Sequence, residues 1–152
     1  MLFRSQKFDP RGSFLAKWGR EGHGPGQFKS PWGIACDALG NVYVVDSGNH
    51  RVQKFDGNGT FLCSFGNRGK TEGQLNFPSG IAVDKEGSVI VVDSGNNRVV
   101  KYVPTEEEIN RGKEQSASAP AAGTVQPPRS VAVKPDRKST RLNSRHLGIS
   151  YA

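Results

Sequence analysis

Cysteine and histidine are scarce in this chain of 152 residues, which contains two Cys and three His. Two cysteines that lie far apart form neither a disulfide framework nor a CxxC metal-binding knuckle, and the histidines show no metal-ligand spacing. No apolar run approaches the roughly 18 residues that a membrane helix requires, and the first residues lack the apolar stretch of a secretory signal. The sequence therefore predicts no disulfide scaffold, no zinc site and no transmembrane segment.

Glycine and positive charge, by contrast, are abundant. The chain has 19 glycines and a formal net charge of +7, whereas the usual share of glycine is roughly 7%. Frequent glycine is typical of a chain that turns often. The net positive charge favours an anionic partner, provided that the basic residues lie together on the folded surface.

A repeat of 47 residues organises the sequence. Aligning residues 7–54 with residues 54–101 gives 26 identities in 48 positions without a gap. A weaker third copy begins at Pro128, where Pro-Arg-Ser-Val-Ala-Val is similar to Pro-Ser-Gly-Ile-Ala-Val from Pro78. Such self-similarity is the signature of an architecture built from stacked, equivalent units.

Within one repeat, four short β runs are separated by turn residues. The predicted strands are residues 33–37, 41–46, 51–55 and 61–65. The gaps carry Leu-Gly-Asn, Ser-Gly-Asn and Asp-Gly-Asn-Gly, which suit tight turns and reject a helical interpretation. Four antiparallel strands in every 40 to 50 residues predict the blade of a β-propeller, so the fold class is all-β.

The repeated motif resembles the NHL repeat. Its residues are Pro-x-Gly-Ile-Ala-x-Asp, then Val-x-Val-Val-Asp-Ser-Gly-Asn-x-Arg-Val-x-Lys-Phe/Tyr, with Gly-x-x-x-Gly-Gln-Phe/Leu between copies. The resemblance is strong over residues 7–103 and weak over 128–135. It implies a six-bladed propeller, often the C-terminal part of TRIM-NHL proteins, which bind RNA or protein partners. Six such units would need roughly 280 residues, so we expect a fragment of two to three blades that needs the rest of the propeller to close the ring.

The repeat also predicts the organisation of the chain. Residues 1–103 would hold the last two strands of one blade, one full blade and three strands of the next. Residues 104–127 contain no aromatic residue and predict a flexible low-complexity insertion, with a degenerate outer strand as the alternative. Residues 128–135 would begin a further NHL repeat. Because open blades expose apolar faces and unpaired edges, we expect the isolated piece to be poorly soluble.

The last residues depart from the repeat. After Pro135, where a glycine turn and a Val-rich strand should follow, the chain continues Asp-Arg-Lys-Ser-Thr-Arg-Leu-Asn-Ser. Back-translation of that string as GAT-CGG-AAG-AGC-ACA-CGT-CTG-AAC-TCC reproduces a common short-read sequencing adaptor. We therefore expect residues 136–152 to be a non-native tail. Without that tail, 17 basic residues stand against 13 acidic ones, and the net charge falls to +4.

The Asp-Ser-Gly-Asn-x-Arg segments are the most conspicuous polar motifs. We interpret Asp46 with Arg51, and Asp93 with Arg98, as structural turn pairs, because a catalytic site is rarely duplicated in every blade. The glycine clusters lack the Gly-Lys-Ser/Thr ending of a phosphate loop, and no GxSxG elbow is present. The sequence thus predicts no catalytic residue, no metal and no cofactor, and it lacks the paired Cys/His ligands of a RING ubiquitin-ligase domain.

Strand geometry predicts that basic residues gather at one end of the blades, where the inter-blade connectors meet the turns between second and third strands. The other end, with Asp37, Asp56, Asp84, Lys85 and Glu86, is close to neutral or acidic. The candidate ligand-binding residues of the basic rim are Arg20, His23, Lys29, Trp32, Arg68 and Lys70. Basic side chains near an exposed aromatic suit phosphate contacts and base stacking, and equally an acidic protein surface.

The resemblance favours single-stranded RNA as the ligand of a non-catalytic interaction platform, with a protein partner as the close competitor and no membrane partner. The alternatives are an amidating-lyase-like propeller enzyme and a bacterial or plant sensor propeller. Cys36 and Cys63 occupy apolar repeat positions and are expected to be buried free thiols, and reduced thiols favour a cytoplasmic location.

Overall fold

The computed structural model describes residues 3–105 and 129–133, and this part of the chain is nearly all β, without an α-helix. The first eight strands are β1 (Ser5–Phe8), β2 (Phe14–Trp18), β3 (Arg20–Glu21), β4 (Gln27–Phe28), β5 (Pro31–Cys36), β6 (Val42–Asp46), β7 (Arg51–Phe55) and β8 (Phe61–Phe65). The others are β9 (Ile81–Val83), β10 (Val89–Asp93), β11 (Arg98–Val103) and β12 (Arg129–Val133). Single 3₁₀ turns lie at Ser47–Asn49 and Ser94–Asn96.

Two four-stranded antiparallel sheets form the body of the molecule. Sheet 1 has the order β5-β6-β7-β8 and sheet 2 the order β9-β10-β11-β12, while β1 and β2 form a two-stranded antiparallel sheet. Strands β7 and β8 begin and end where the sequence predicts, and β5 and β6 differ from the prediction by one or two residues at their ends. The predicted fold class is confirmed, since the sheets have the strand count and direction of NHL propeller blades.

The turns that join the strands depend on glycine at defined positions. Gly40 and Gly87, 47 residues apart, occupy the turns between the first and second strands of the two sheets, with φ of 81° and 82°. A residue with a Cβ is disfavoured there. The repeated backbone conformation keeps the two sheets equivalent. The loops at the opposite end of the two sheets are therefore equivalent too.

The main apolar core lies between the two sheets. Tyr43, Val45 and Val52 of sheet 1 pack in one buried cluster with Val91 and Tyr102 of sheet 2. Each apolar side chain fully removed from water contributes about 1.5–3 kcal/mol relative to leaving it exposed. Both faces of β6 are buried, because its other face forms a second cluster that includes Val42, Val44, Phe28 and Phe55 and packs against Trp18 of β2.

The structure places the strand near Pro128 differently from the sequence expectation. Arg129–Val133 pairs antiparallel with β11 and is the fourth strand of sheet 2 rather than the first strand of another blade. β12 thus occupies the position beside β11 that β8 occupies beside β7 in sheet 1. Val131 and Val133 supply the β-branched residues that suit a strand, and an open edge offers unpaired N–H and C=O groups.

The expectation of two buried thiols is wrong for one of them. Cys63 is buried, but Cys36 is exposed. Cys36 lies on β5, the first and edge strand of sheet 1, on the face that it shares with Val42. The sheet of β1 and β2 covers that face only in part. Ile34, also on β5, is 58% exposed.

Two predictions concern residues that the structure does not describe. The insertion at 104–127, apart from Pro104 and Thr105, and the suspected adaptor-derived tail at 136–152 both lie outside the described residues.

Candidate functional site

Two equivalent loops and two equivalent connectors meet at one end of the sheets. Loop 1 is residues 46–51 and loop 2 is residues 93–98; connector 1 is residues 19–30 and connector 2 is residues 66–77. Each loop is closely covered by its connector, since a Cβ on Gly48 would lie 2.7 Å from the carbonyl oxygen of Lys29, and one on Gly95 would lie 2.6 Å from that of Asn76. Only glycine allows this approach. We call the exposed surface of the two connectors the rim.

Asp46 is the hub of loop 1. Its side chain is fully buried and accepts hydrogen bonds from the Lys29 backbone N–H at 2.7 Å and from Asn49 Nδ2 at 2.8 Å. It also accepts from Arg51 Nε at 2.8 Å and from Gln53 Nε2 at 2.9 Å. A buried carboxylate is stable only when paired and hydrogen-bonded, and Asp46 meets both conditions.

The arginines of the loops hold the connectors. Arg51 Nη2 donates to the carbonyls of Gly24 and Gln27 at 2.8 and 3.0 Å. Arg98 repeats the arrangement in the next unit, with Nε 2.7 Å from Asp93 Oδ2 and further bonds to three connector carbonyls. Both guanidinium groups are therefore used inside the fold, and both buried carboxylates are neutralised locally.

The sequence-predicted rim residues are all exposed. Arg20, His23 and Lys29 lie on connector 1, Arg68 and Lys70 lie on connector 2, and Trp32 lies near the start of β5 with 77% of its surface exposed. The His23 ring hydrogen-bonds through Nδ1 to Asn49 Oδ1 at 2.6 Å, which fixes it against loop 1. Within residues 3–105, Arg20, Lys29, Arg68 and Lys70 form no ion pair.

Connector 2 also contacts loop 1, through a residue pair that the sequence reasoning did not identify. The Phe77 backbone N–H donates to Nδ1 of His50 at 3.1 Å, and the two rings lie 4.4 Å apart with a tilt of 59°. Phe77 remains 53% exposed. The sequence offers one sign of this contact: the residue before the repeated proline is Ser30 in one repeat and Phe77 in the next.

His50 has an electropositive environment. Burial lowers its pKa below the ordinary value of 6.5, and the positive charges of Arg68 and Lys29 lower it further, whereas Asp93 acts in the opposite direction. Backbone contacts agree with this: Gly48 of loop 1 donates its N–H to the Lys29 carbonyl at 2.8 Å, and a Cβ on Gly66, two residues before Arg68, would lie 3.3 Å from the His50 carbonyl oxygen. The structure thus brings Lys29 and Arg68, from different connectors, to the same part of the rim.

The opposite end of the sheets has acids that cap turns. Asp37 accepts the backbone N–H of Asn41 at 2.9 Å, and Asp56 accepts that of Thr60 at 2.8 Å. Burial alone would raise the pKa of Asp56, but the hydrogen bonds from the backbone at Thr60 and Asn58 outweigh it and lower the pKa. Asp84 forms an ion pair with Lys101 at 2.9 Å. These carboxylates stabilise the turns at this end of the sheets.

The arrangement holds no cluster suited to a metal: in the part of the chain that the structure describes, no three His, Cys, Asp or Glu side chains come together. The same residues contain no helix long and apolar enough to cross a membrane.

A family model of the NHL repeat matches the chain twice, at residues 28–55 and 75–102. Each match begins at a buried residue two positions before the end of a connector, Phe28 or Leu75, and runs through the first three strands of a sheet and the intervening loop. No curated protein matches the chain. The two matches support an NHL-repeat family with blade-like sheets, and NHL repeats generally mediate interactions with proteins or RNA. The narrower TRIM-NHL assignment stays a prediction.

Proposed function

We propose that this chain is a non-catalytic interaction platform and that its rim binds single-stranded RNA. One observation carries the proposal. The buried acids Asp46 and Asp93 are fully engaged by Arg51 and Arg98, so they cannot neutralise the exposed cations. Four cations of the rim form no ion pair within the described residues: Arg20, Lys29, Arg68 and Lys70.

The charge balance of the rim favours a polyanion. Glu21 and Glu72 are the exposed acids on the connectors, against four exposed Lys or Arg side chains. Lysine and arginine that neutralise phosphates release condensed counterions, and this release supplies much of the affinity for nucleic acid. The placement of the positive charge, rather than the net charge of the chain, supports the proposal.

Exposed aromatic rings favour RNA over an acidic protein as the ligand. Trp32 is 77% exposed and Phe77 is 53% exposed. Trp32 lies two residues beyond the end of connector 1, and Phe77 is the last residue of connector 2. Single-stranded nucleic acid offers unstacked bases, which bind to aromatic faces, together with a phosphate backbone for the cations. Protein partners of the same surface would need carboxylates at matching positions.

The experiment is a fluorescence-anisotropy titration of the full chain with a labelled single-stranded oligouridylate at about 50 mM and about 200 mM salt. We expect saturable binding that weakens steeply at the higher salt concentration. A polyglutamate peptide of equal charge serves as the comparison, because it carries the anionic charge without bases. Absence of RNA binding at the lower salt concentration would contradict the proposal, and tighter binding of the peptide would favour a protein partner.

A further inference from the structure

Phe77 has an unusual combination of conformation and exposure. Its φ is +42°, in the left-handed region that is costly for a bulky side chain. Ser30, at the same position of the preceding repeat, has a φ of +51°. The backbone conformation thus belongs to the repeat, whereas the phenyl ring does not. Since more than half of the Phe77 side chain is exposed, the core does not account for it.

His50 contacts Phe77 through both its ring and a hydrogen bond. It is nearly buried, it accepts the Phe77 N–H, and its ring packs against the phenyl group at 4.4 Å. His50 itself is left-handed, with φ of +55°, and Asn97 at the equivalent position has +51°. Histidine is therefore not required by the backbone either, because Asn adopts the left-handed region readily. Both unusual residues, Phe77 and His50, contact each other across the boundary between repeats.

Two exposed cations that form no ion pair within the described residues lie on connector segments that contact loop 1. Lys29 of connector 1 accepts the N–H of Gly48 in loop 1 at 2.8 Å. Arg68 of connector 2 lies two residues after Gly66, where a Cβ would be 3.3 Å from the His50 carbonyl oxygen. Both cations also lower the pKa of His50. The acid that acts on His50 is Asp93, which is buried and engaged by Arg98. The exposed face of Phe77 therefore lies in a locally positive part of the rim, on a support that fixes its orientation.

We propose that Phe77, Lys29 and Arg68 form a subsite for one unpaired nucleobase of single-stranded RNA, with the base on the phenyl ring and the flanking phosphates at the two cations. His50 is a positioning residue that acts through Phe77. The inference rests on the proposed RNA-binding function and adds a base-dependent contact to it. The corresponding position at Ser30 lacks an aromatic ring, so this subsite occurs once in the described repeats.

The test compares an oligouridylate with an abasic oligonucleotide of equal length, using the full chain. The abasic strand retains the phosphates and lacks the bases. The variant is Phe77→Ser, which introduces the residue that the preceding repeat already accommodates in this conformation. Because stacking of one base is worth roughly 1–3 kcal/mol, we expect the affinity for oligouridylate to fall roughly 5- to 150-fold. The affinity for the abasic strand should not change.

The outcomes separate the subsite from the platform. If wild-type protein binds RNA and Phe77→Ser leaves the preference for oligouridylate over the abasic strand intact, the subsite is wrong and the platform stands. If wild-type protein binds neither strand, both proposals fail. Lys29→Ala and Arg68→Ala should weaken binding of both strands, since they remove phosphate contacts.

A pH profile tests the role of His50. Protonation of Nδ1 removes its capacity to accept the Phe77 N–H. The wild-type preference for oligouridylate over the abasic strand should therefore fall as the pH drops below the lowered pKa of His50. The His50→Asn variant, which introduces the residue found at Asn97 in the next repeat, should show a smaller preference that does not change with pH. An unchanged, pH-dependent preference in that variant would exclude the positioning role.

Discussion

Arg51 lies with its Nε 2.8 Å from Oδ2 of Asp46, and the same guanidinium donates to two carbonyls of connector 1. The contact joins the end of β6, the start of β7 and the connector that precedes β5. Its equivalent in the next repeat, Arg98 with Asp93 at 2.7 Å, joins connector 2 to sheet 2. The Asp-Ser-Gly-Asn-x-Arg motif thus acts as a structural clamp. Its arginines are engaged inside the fold, so other cations of the rim must contact a ligand.

Loss of one clamp carboxylate should destabilise the fold strongly. Asp46→Asn leaves the largely buried Arg51 guanidinium without its counter-charge, and breaking a buried ion pair typically costs about 3–5 kcal/mol. We expect a similar loss for Asp93→Asn, measured by urea denaturation monitored by circular dichroism. Asp9→Asn is the control, because this carboxylate caps an exposed turn. Equal stability of Asp46→Asn and Asp9→Asn would contradict the clamp.

Gln53 gives a second, smaller stability prediction. It bonds Asp46, the carbonyl of Gln27 and the N–H of Gly26, and it is fully buried. Val100 stands at the same repeat position. Gln53→Val should lower the free energy of unfolding by about 1–3 kcal/mol, because it leaves connector groups unsatisfied. A stabilised variant would show that apolar packing outweighs this network.

The exposed face of sheet 2 predicts self-association. Val92 and Val99 are paired neighbours and are 42% and 43% exposed, whereas Val45 and Val52, their equivalents in sheet 1, are completely buried by sheet 2. This face is therefore built to receive another sheet of the same repeat. We expect concentration-dependent association of the full chain through a second copy, measured by sedimentation velocity.

Val99→Asp should shift that association toward monomer, because it introduces a charge into the apolar face. Leu39→Asp is the control, since Leu39 is 56% exposed in a turn away from this face. A monomeric wild-type chain, or an equal effect of both variants, would contradict the role of the face.

Stability should depend on pH through His50. Because its pKa is lowered in the folded state, the unfolded chain binds more protons below about pH 6.5. The contribution of His50 to stability is thus complete above that pH and is lost as the pH falls through the lowered pKa. The slope of unfolding free energy against pH in this window should be smaller in His50→Asn. Identical slopes would show that His50 does not titrate differently on folding.

Most of the fold could be predicted from the repeat, because identical residues at a spacing of 47 demand equivalent strands and turns. The bounds of β7 and β8 follow from the glycine-containing turns that flank them. The position of β12 could not be predicted, since its sequence is similar to a first strand and its pairing depends on the open edge of β11. Exposure of Cys36 likewise depends on which neighbour covers an edge strand.

The sequence predicts the charged residues of the candidate site but not the contact between His50 and Phe77. Strand direction alone placed Lys29, Arg68 and the other rim residues at one end. The contact between His50 and Phe77 requires that connector 2 cross back onto loop 1, which joins residues 27 positions apart. No local pattern in the sequence encodes that crossing.

The salt dependence of RNA binding tests the central claim most directly. For single strands, each phosphate contact contributes about 0.7 to the slope of log affinity against log salt concentration. Arg68→Ala with Lys70→Ala should therefore reduce the slope by about 1.4, whereas Lys85→Ala, an exposed lysine at the opposite end, should leave it unchanged. An unchanged slope in the double variant, or an equal loss in Lys85→Ala, would contradict RNA binding by the rim.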